Sequence, residues 1–536
     1  MSIVPAYISR SVAGSYDNEG IAIFCMLITY YLWIKSVKTG SMFWASITAL
    51  AYFYMVSSWG GYVFLINLIP LHVLALMIMQ KFDSKIYIAY TTFYSIGTLL
   101  SMQIAFVGDL PSFTSEHMGA LGVFGLCQIV NFIKYLNGTF SRKNVLYLFK
   151  ISIAIFSVLC IVLISYLMAT HRIAPWVGRF YSFIDPSYAR NNIPIIASVS
   201  EHQPTAWASF FFDLQFMLFA FPAGIFIYFK KLNKLNVFLI IYAVTTIYFT
   251  GVMIRLMLVL APIMCIVSSA SISGVLSNFS KFSSKKESPS YFHQIKMNLL
   301  VSSTVGFLLI YYSFHCIWIA SVAYSNPSII LSAKMPDSSL YIIDDYREAY
   351  NWLKHNTPED SKVLAWWDYG YQITQMANRT VLVDNNTWNN TQIALVGQVF
   401  ALPEKKAYKI LSKMDVNYIL VVFGGSIGYG SDDINKFYWI VKIAGSIPEG
   451  KNLHEHDYFG NGLRIDKHAS KAMKESVIYK TSYHRFTQKN TVKDQPPGFD
   501  RVRNQVAQDV KLELLEEAYT TKHWIIRIFK VKKDES

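Results

Sequence analysis

Val252-Met253-Ile254-Arg255-Leu256-Met257-Leu258-Val259-Leu260-Ala261-Pro262-Ile263-Met264-Cys265-Ile266-Val267-Ser268-Ser269-Ala270-Ser271 is apolar or small throughout except for one arginine. At about 1.5 Å per helical residue, such a run matches the ~30 Å hydrocarbon thickness of a bilayer. It reads as a membrane span. Comparable segments fall near 20–36, 41–58, 62–80, 86–107, 119–136, 146–169, 209–229, 235–250 and 297–321, which makes about ten spans. Those at 119–136 and 235–250 are the weakest against a requirement of ~20 residues.

Composition agrees. The 536 residues are 53% hydrophobic and 15% charged, where soluble proteins carry about 25% charged residues. The apolar excess stops near residue 320, so the chain divides into a polytopic helical membrane domain over 1–322 and a soluble domain over 323–536.

The net charge of +14 suggests nucleic acid at first sight. However, Lys35, Lys38, Lys81, Lys85, Arg142, Lys143, Lys230, Lys231, Lys234 and the run from Lys281 to Lys296 sit between apolar segments. That placement follows the positive-inside bias, and no nucleic-acid partner is expected. Cys25, Cys127, Cys160, Cys265 and Cys316 all lie in or beside apolar segments, so they form no disulfide framework. The N-terminal residues show no signal-peptide pattern.

Placing the basic loops at 36–40, 81–85, 137–145, 230–234 and 272–296 in the cytoplasm fixes the remainder. With ten alternating spans, residues 1–19, the long loop 171–208 and everything after 321 share the opposite face. The loop exceeds the usual length of a structureless connection, which argues for a role.

In the soluble half, helical periodicity over Tyr346–His355, Lys405–Met414 and Asp433–Ile443 alternates with extended runs at Lys362–Trp366, Val381–Asp384, Tyr418–Phe423 and Trp524–Val531. This is a mixed α/β pattern. Trp366-Trp367-Asp368-Tyr369-Gly370 falls where a strand gives way to a helix. Indole N–H groups only donate and an ionised Asp only accepts, so together they suit a ligand that does both, such as a hydroxyl.

Asp17-Asn18-Glu19 and Glu201 lie on the face shared with the soluble domain. Three carboxylates from two loops suit a hard cation, Mn²⁺ or Mg²⁺. Arg255 lies one turn into its span, where a guanidinium is costly and suits a phosphate. Arg10 is a second candidate of the same kind. Asp433, Lys436 and Ile440 share one helical face. The sequons at Asn378, Asn385 and Asn389 fall on the non-cytoplasmic side and are expected to be N-glycosylated, whereas Asn137 and Asn278 fall on the cytoplasmic side.

These residues carry a resemblance. Trp366-Trp367-Asp368-Tyr369-Gly370, Asp17-Asn18-Glu19, Ser198-Val199-Ser200-Glu201 and Asp433-x-x-Lys436-x-x-x-Ile440, in this order and topology, resemble the catalytic subunit of the eukaryotic oligosaccharyltransferase. The likeness extends over essentially the whole chain, and the compact tail looks more like the cotranslational paralogue. It implies a GT-C-like membrane domain in the endoplasmic reticulum with its soluble domain in the lumen. It also implies partner oligosaccharyltransferase subunits, and glycan transfer from dolichyl pyrophosphate to Asn-x-Ser/Thr of nascent polypeptides.

By resemblance, Asp17 and Glu19 would help bind Mn²⁺ or Mg²⁺, Glu201 would contact the acceptor amide, and Arg10 would serve catalysis. Arg255 and Tyr371 would hold the donor pyrophosphate. Trp366, Trp367 and Asp368, completed by Lys436 and Ile440, would grip the hydroxyl of the sequon. The family has a further N-terminal span and an acidic motif whose Asp contacts metal and acceptor; this chain starts after it. Residues 1–536 alone are therefore expected to be inactive, and the full product an enzyme.

Two rival readings differ in kind. A polytopic transporter or channel would place ionisable groups in mid-span, whereas these acids gather at one membrane face. A lipid-linked glycosyltransferase acting on hydroxyls would explain the acidic loops but not Trp366-Trp367-Asp368.

Overall fold

The computed structural model describes residues 2–139 apart from 14, scattered positions between 147 and 188, and residues 192–283, 291–325 and 329–532 apart from 388 and 461. It forms two compact units, one of Met1–Ala189 with Ser200–Asn326 and one of Arg190–Val199 with Pro327–Ser536.

The first unit is helical. Its main helices are α1 (Asn18–Thr39), α2 (Met42–Ser58), α3 (Tyr62–Ile78), α4 (Ser84–Ser101), α5 (Ser115–Thr139), α6 (Trp207–Leu214), α7 (Met217–Phe229), α8 (Lys234–Val252), α9 (Met257–Ser283) and α10 (Tyr291–Ile319). The expected apolar segments are mainly helical, and within 146–169 the described positions are helical while the others lie outside the described residues. Among the described residues, five helices are long and apolar enough to cross a membrane alone. The segment expected at 209–229 is instead the pair α6 and α7, bent by 86°. The chain is a multi-pass membrane protein.

Polar contacts tie these helices together at their ends. Asp17 caps α1 and Asp83 caps α4, the latter accepting from the Ile86 amide at 3.1 Å and from Lys234 Nζ at 2.6 Å. In the buried centre, Trp33 Nε1 donates to His72 Nδ1 at 3.1 Å, while His72 Nε2 lies 2.9 Å from the Lys234 carbonyl. A neutral imidazole accepting at Nδ1 and donating at Nε2 thus links α1, α3 and the start of α8.

The second unit is built on a five-stranded mixed sheet. Its strands are β3 (Lys362–Leu364), β4 (Thr380–Val381), β5 (Tyr418–Val422), β8 (Leu515–Thr520) and β9 (Ile526–Val531), after a separate hairpin β1 (Leu331–Lys334) and β2 (Leu340–Ile343). The spatial order is β4-β3-β5-β9-β8, with β3 parallel to both neighbours and β9 antiparallel to both of its own. The register pairs Val363 with Val381, Leu364 with Ile419 and Leu420 with Ile528. Every residue of β5 is buried, which is why its sequence is an unbroken apolar run. A second short hairpin joins β6 (Phe499–Asp500) to β7 (Gln505–Val506).

Around the sheet stand α11 (Asp345–Asn356), α12 (Asn390–Ala401), α13 (Glu404–Lys413) and α14 (Asp433–Ala444). Three of these match expected helices, but α12 shows no amphipathic stripe. Ile393, Ala394, Val396, Gly397, Val399, Phe400 and Ala401 bury it on several sides, and a helix buried all round loses the periodic signal.

One boundary differs from expectation. Residues 190–199, expected as part of the membrane domain's loop 171–208, group with the second unit. There the short helix Pro194–Ala197 packs near α14 and buries Ile195, Ile196 and Ala197. Apolar side chains in a long loop need a core, and this one supplies it. Loop residues 171–186 lie outside the described residues.

Candidate functional site

In the first unit, four of the expected residues meet around Glu19. Asp17 caps α1, its Oδ1 accepting the Asn18 amide at 2.7 Å, and Glu19 follows in the first turn. Gly20 lets the preceding chain close over this helix end. A Cβ there would lie 2.8 Å from the Arg10 carbonyl, and only glycine allows that approach.

Arg10 is thereby laid along the acids. Its Nη2 donates to Glu201 Oε1 at 2.5 Å, its Nε lies 3.5 Å from Glu19 Oε2, and its Nη1 lies 3.6 Å from Asp17 Oδ2. Arg255 Nε donates to Glu19 Oε1 at 2.9 Å, and its Nη2 donates to the same oxygen. The turn that carries Glu201 is stitched to the Arg255 turn by the Ile254 amide on the Gln203 carbonyl at 3.1 Å.

The electrostatics follow from this packing. Burial pulls the Arg10 guanidinium down, but Glu201, Glu19 and Asp17 together raise it above its ordinary value. Glu19 is fully buried between two arginines, as a charge at membrane depth must be. Its Oε2 has no hydrogen-bond partner. Three carboxylates against two guanidinium groups leave one negative charge to be balanced.

A divalent cation fits this donor set. Among the described residues no three acidic, His or Cys side chains converge to cage a metal. Mg²⁺ and similar ions, however, are usually held by one or two carboxylates together with substrate phosphates and water. Asp17, partly exposed, and Glu19, with an oxygen that accepts no hydrogen bond, supply that pair.

In the second unit, β3 delivers Trp366 and Trp367 into a short 3₁₀ turn over Trp367–Tyr369. Gly370 closes the turn. A Cβ at Gly370 would lie 2.5 Å from the Val383 carbonyl, so the close approach of that segment demands glycine.

Lys436, one turn into α14, donates to Asp368 Oδ2 at 2.6 Å and to the Tyr369 hydroxyl at 2.8 Å. Tyr369 in turn donates to Asp433 Oδ1 at 3.2 Å, and Asp433 Oδ2 accepts the Val422 amide at 2.8 Å. Trp367 Nε1 is buried and has no partner. Trp367, whose indole donor has no acceptor, immediately precedes Asp368, whose carboxylate is partly exposed, and a hydroxyl can pair with groups of both kinds.

Burial pushes the Asp433 carboxyl up to about 7, with Lys436 acting in the opposite direction. Lys436 itself is lowered by burial but raised overall by Asp433 and Asp368. A carboxyl raised on folding contributes stability that is present at low pH and lost as pH rises through about 7. Asp433→Asn is therefore expected to gain thermal stability relative to the unmodified protein as pH rises from about 4 to about 7. Melting curves of the purified complex across that range check it; parallel curves would mean that Asp433 does not titrate there.

The other expected residues fall as follows. Ile440 is fully buried and lines no open surface, while Tyr371 is half-exposed. Asn385 straps the motif from outside, its Nδ2 donating to the Asp368 carbonyl at 3.0 Å and its Oδ1 accepting the Tyr371 amide at 3.3 Å. Asn378 is exposed in a left-handed conformation with φ of 50°. Asn389 caps α12 through the Gln392 amide at 3.1 Å.

Sequence reasoning did not single out Asp432, Asn435 or Arg503. Asp432 was legible as a capping residue ahead of α14. Arg503 lies far along the chain and carried no signal.

The helical unit with acids and arginines at one helix end, joined to an α/β unit with an amphoteric aromatic pocket, has the plan of a membrane-embedded glycan transferase. The family profile described as oligosaccharyl transferase STT3, N-terminal, matches residues 1–268, and that of the STT3/PglB/AglB core domain matches 359–488. The chain belongs to the STT3 family of oligosaccharyl transferases.

A Dictyostelium discoideum dolichyl-diphosphooligosaccharide–protein glycosyltransferase subunit STT3 is 52% identical over 99% of this chain and 75% of its own length. The Oryza sativa subunit STT3B is 48% identical over 99% of this chain and 77% of its own. Among solved structures, an Archaeoglobus fulgidus oligosaccharyltransferase tethered to an acceptor peptide with an NVT sequon superposes with a TM-score of 0.59. It is 13% identical and is matched over 91% of this chain and 62% of the archaeal one. An Archaeoglobus AglB with an inhibitory peptide and a dolichol-phosphate gives 0.56 at 16% identity, over 91% and 63%. At these identities the two structures speak for the fold.

Proposed function

We propose that the chain is a glycosyltransferase subunit that moves an oligosaccharide from dolichyl pyrophosphate to the side-chain nitrogen of Asn in Asn-x-Ser/Thr. The observation that carries this is the unpartnered Trp367 Nε1 in the residue before the partly exposed Asp368 carboxylate, a donor and an acceptor of the two kinds a hydroxyl pairs with. Family membership supports the reaction class. Localisation in the endoplasmic reticulum with a lumenal second unit, and assembly with other oligosaccharyltransferase subunits, belong to the same reading, as does glycosylation at Asn378, Asn385 and Asn389.

The chemistry requires help at the nucleophile. An amide nitrogen shares its lone pair with the carbonyl and is a poor nucleophile until it twists out of plane. Glu201, whose side chain is 43% exposed and whose Oε1 is held by Arg10, is assigned the N–H of the acceptor amide. In the transfer, the amide nitrogen bonds to the anomeric carbon, the bond from that carbon to the pyrophosphate oxygen breaks, and one amide proton is released. Arg255 and Tyr371 are assigned the departing pyrophosphate.

A Mn²⁺ or Mg²⁺ ion held by Asp17 and Glu19 would neutralise charge on that leaving group. Trp366, Trp367 and Asp368 are assigned the hydroxyl, with Lys436 holding Asp368 and Ile440, fully buried on the same helix, completing that assignment.

The test is transfer from a lipid-linked donor to paired peptides, Asn-x-Thr and Asn-x-Val, by the membrane complex containing this chain. Sites built to bond a hydroxyl reject the analogue lacking it by up to ~10⁴-fold, so strong preference for Thr is expected. Equal transfer to both peptides would overturn the assignment of the aromatic pocket.

A further inference from the structure

We infer that Arg503 is a positioning residue for acceptor recognition, acting through Asp432 and Asn435 on the helix that carries Lys436. The inference rests on the proposed reading of the Trp367–Asp368 pocket, and it names a part of that pocket's support that lies far from the motif in sequence.

The α14 helix must begin at a fixed rotation for the pocket to exist. Asp433 and Lys436, three residues apart, both point at Tyr369, and a turn of the helix about its axis would separate them. The start of α14 is set by Asp432, whose Oδ1 accepts the Asn435 amide at 3.1 Å and whose Oδ2 accepts the Gly424 amide at 2.9 Å. The first bond caps the helix, and the second ties the cap to the end of β5.

Asp432 is fully buried and would be an unpaired charge without Arg503. Arg503 Nη1 donates to Asp432 Oδ2 at 2.7 Å and to Asp500 Oδ2 at 3.1 Å. Its Nη2 bonds to Asp432 Oδ1 and, at 3.0 Å, to Asn435 Oδ1. The guanidinium fork thus holds the cap and the first turn of α14 at once, a geometry that a lysine point charge cannot copy.

The anchor behind it is rigid. Asp500 Oδ2 accepts the Tyr483 hydroxyl at 2.7 Å, and Asp500 Oδ1 accepts the Val502 and Arg503 amides at 2.8 and 3.0 Å. Gly425 permits the approach, since a Cβ there would stand 2.6 Å from Asp500 Oδ2. The β6–β7 hairpin therefore acts as a brace that reaches the first turn of α14 through one fork. A buried ion pair adds little net stability over an apolar replacement, so its use here is better explained by the geometry it enforces.

The experiment compares Asn435→Ala, Arg503→Lys and Arg503→Gln with Asp368→Ala in the assembled complex. It measures KM and kcat for Asn-x-Thr and Asn-x-Val peptides, with rates scaled to folded enzyme. Asn435 is exposed, and its alanine variant keeps the buried pair, so it tests the fork without risking the fold. A rise of about fivefold in KM for Asn-x-Thr with kcat unchanged is expected for Asn435→Ala, from loss of the charge-assisted bond to Arg503 and of the exposed bond to the Gly430 carbonyl at 2.7 Å. A larger rise is expected for Arg503→Gln, only partly restored by Arg503→Lys.

If these variants lower only the yield of folded protein, leaving KM and the Thr preference intact while Asp368→Ala changes both, Arg503 is merely structural and the inference falls. If Asp368→Ala also changes neither, the pocket assignment fails and this inference with it.

Discussion

Replacing Asp368 by alanine is expected to lower kcat/KM for an Asn-x-Thr peptide by roughly 10²-fold while leaving the slow reaction of Asn-x-Val nearly unchanged. The reason is the asymmetry of the pocket. With Asp368 gone, the acceptor hydroxyl keeps the Trp367 N–H as a donor but loses its own acceptor. Lys436 loses the partner at 2.6 Å and is left with the Tyr369 hydroxyl at 2.8 Å and the nearby Asp433 carboxyl, neither of which replaces the lost acceptor.

A hydroxyl entering that pocket meets two donors and gives its proton to neither. Asp368→Asn keeps the shape and one acceptor oxygen, so it should fall between alanine and the native residue. The measurement is a pair of initial-rate curves for each peptide at fixed donor concentration. A proportional loss for Thr and Val peptides would place Asp368 in folding or in donor binding instead of hydroxyl recognition.

The reading of the chain before its structure was uneven for physical reasons. Spans were legible because the bilayer demands long apolar runs, and β5 because a central strand is apolar at every position. The buried helix α12 was not, since burial on all sides removes the period that marks a helix. At the membrane face the acids and arginines could be named individually, because ionisable groups stand out against apolar sequence. Their pairing could not.

Read from its place one turn into an apolar span, Arg255 has the look of a phosphate ligand. The structure places it on Glu19, and places Arg10 between Glu19, Asp17 and Glu201. In the second unit the motif residues stood out by type and Lys436 by its helical spacing from Asp433, while their roles came from the family resemblance. Arg503 was not, because a guanidinium that acts across 71 residues on Asp432 leaves no local pattern.

The pairing at Glu19 sets up the second large expectation. Removing Arg255 by Arg255→Met should cost about 3 kcal/mol or more of stability, since a buried carboxylate keeps only the Arg10 contact at 3.5 Å. Glu19→Gln should be costly as well, because two guanidinium groups then share Asp17 and Glu201. The double variant Glu19→Gln/Arg255→Met removes both members of the pair, so much of the stability should return through their coupling.

Activity should behave differently. If Glu19 contributes a carboxylate to a divalent cation and Arg255 grips the donor pyrophosphate, the double variant recovers its melting temperature but stays as inactive as the singles. The experiment is a double-mutant cycle read twice on the same detergent-purified complexes, once by thermal unfolding and once by glycan transfer at saturating peptide. Parallel recovery of both readouts would reduce Glu19 and Arg255 to a structural ion pair. Recovery of stability alone separates what holds this helix end together from what the site asks of its donor.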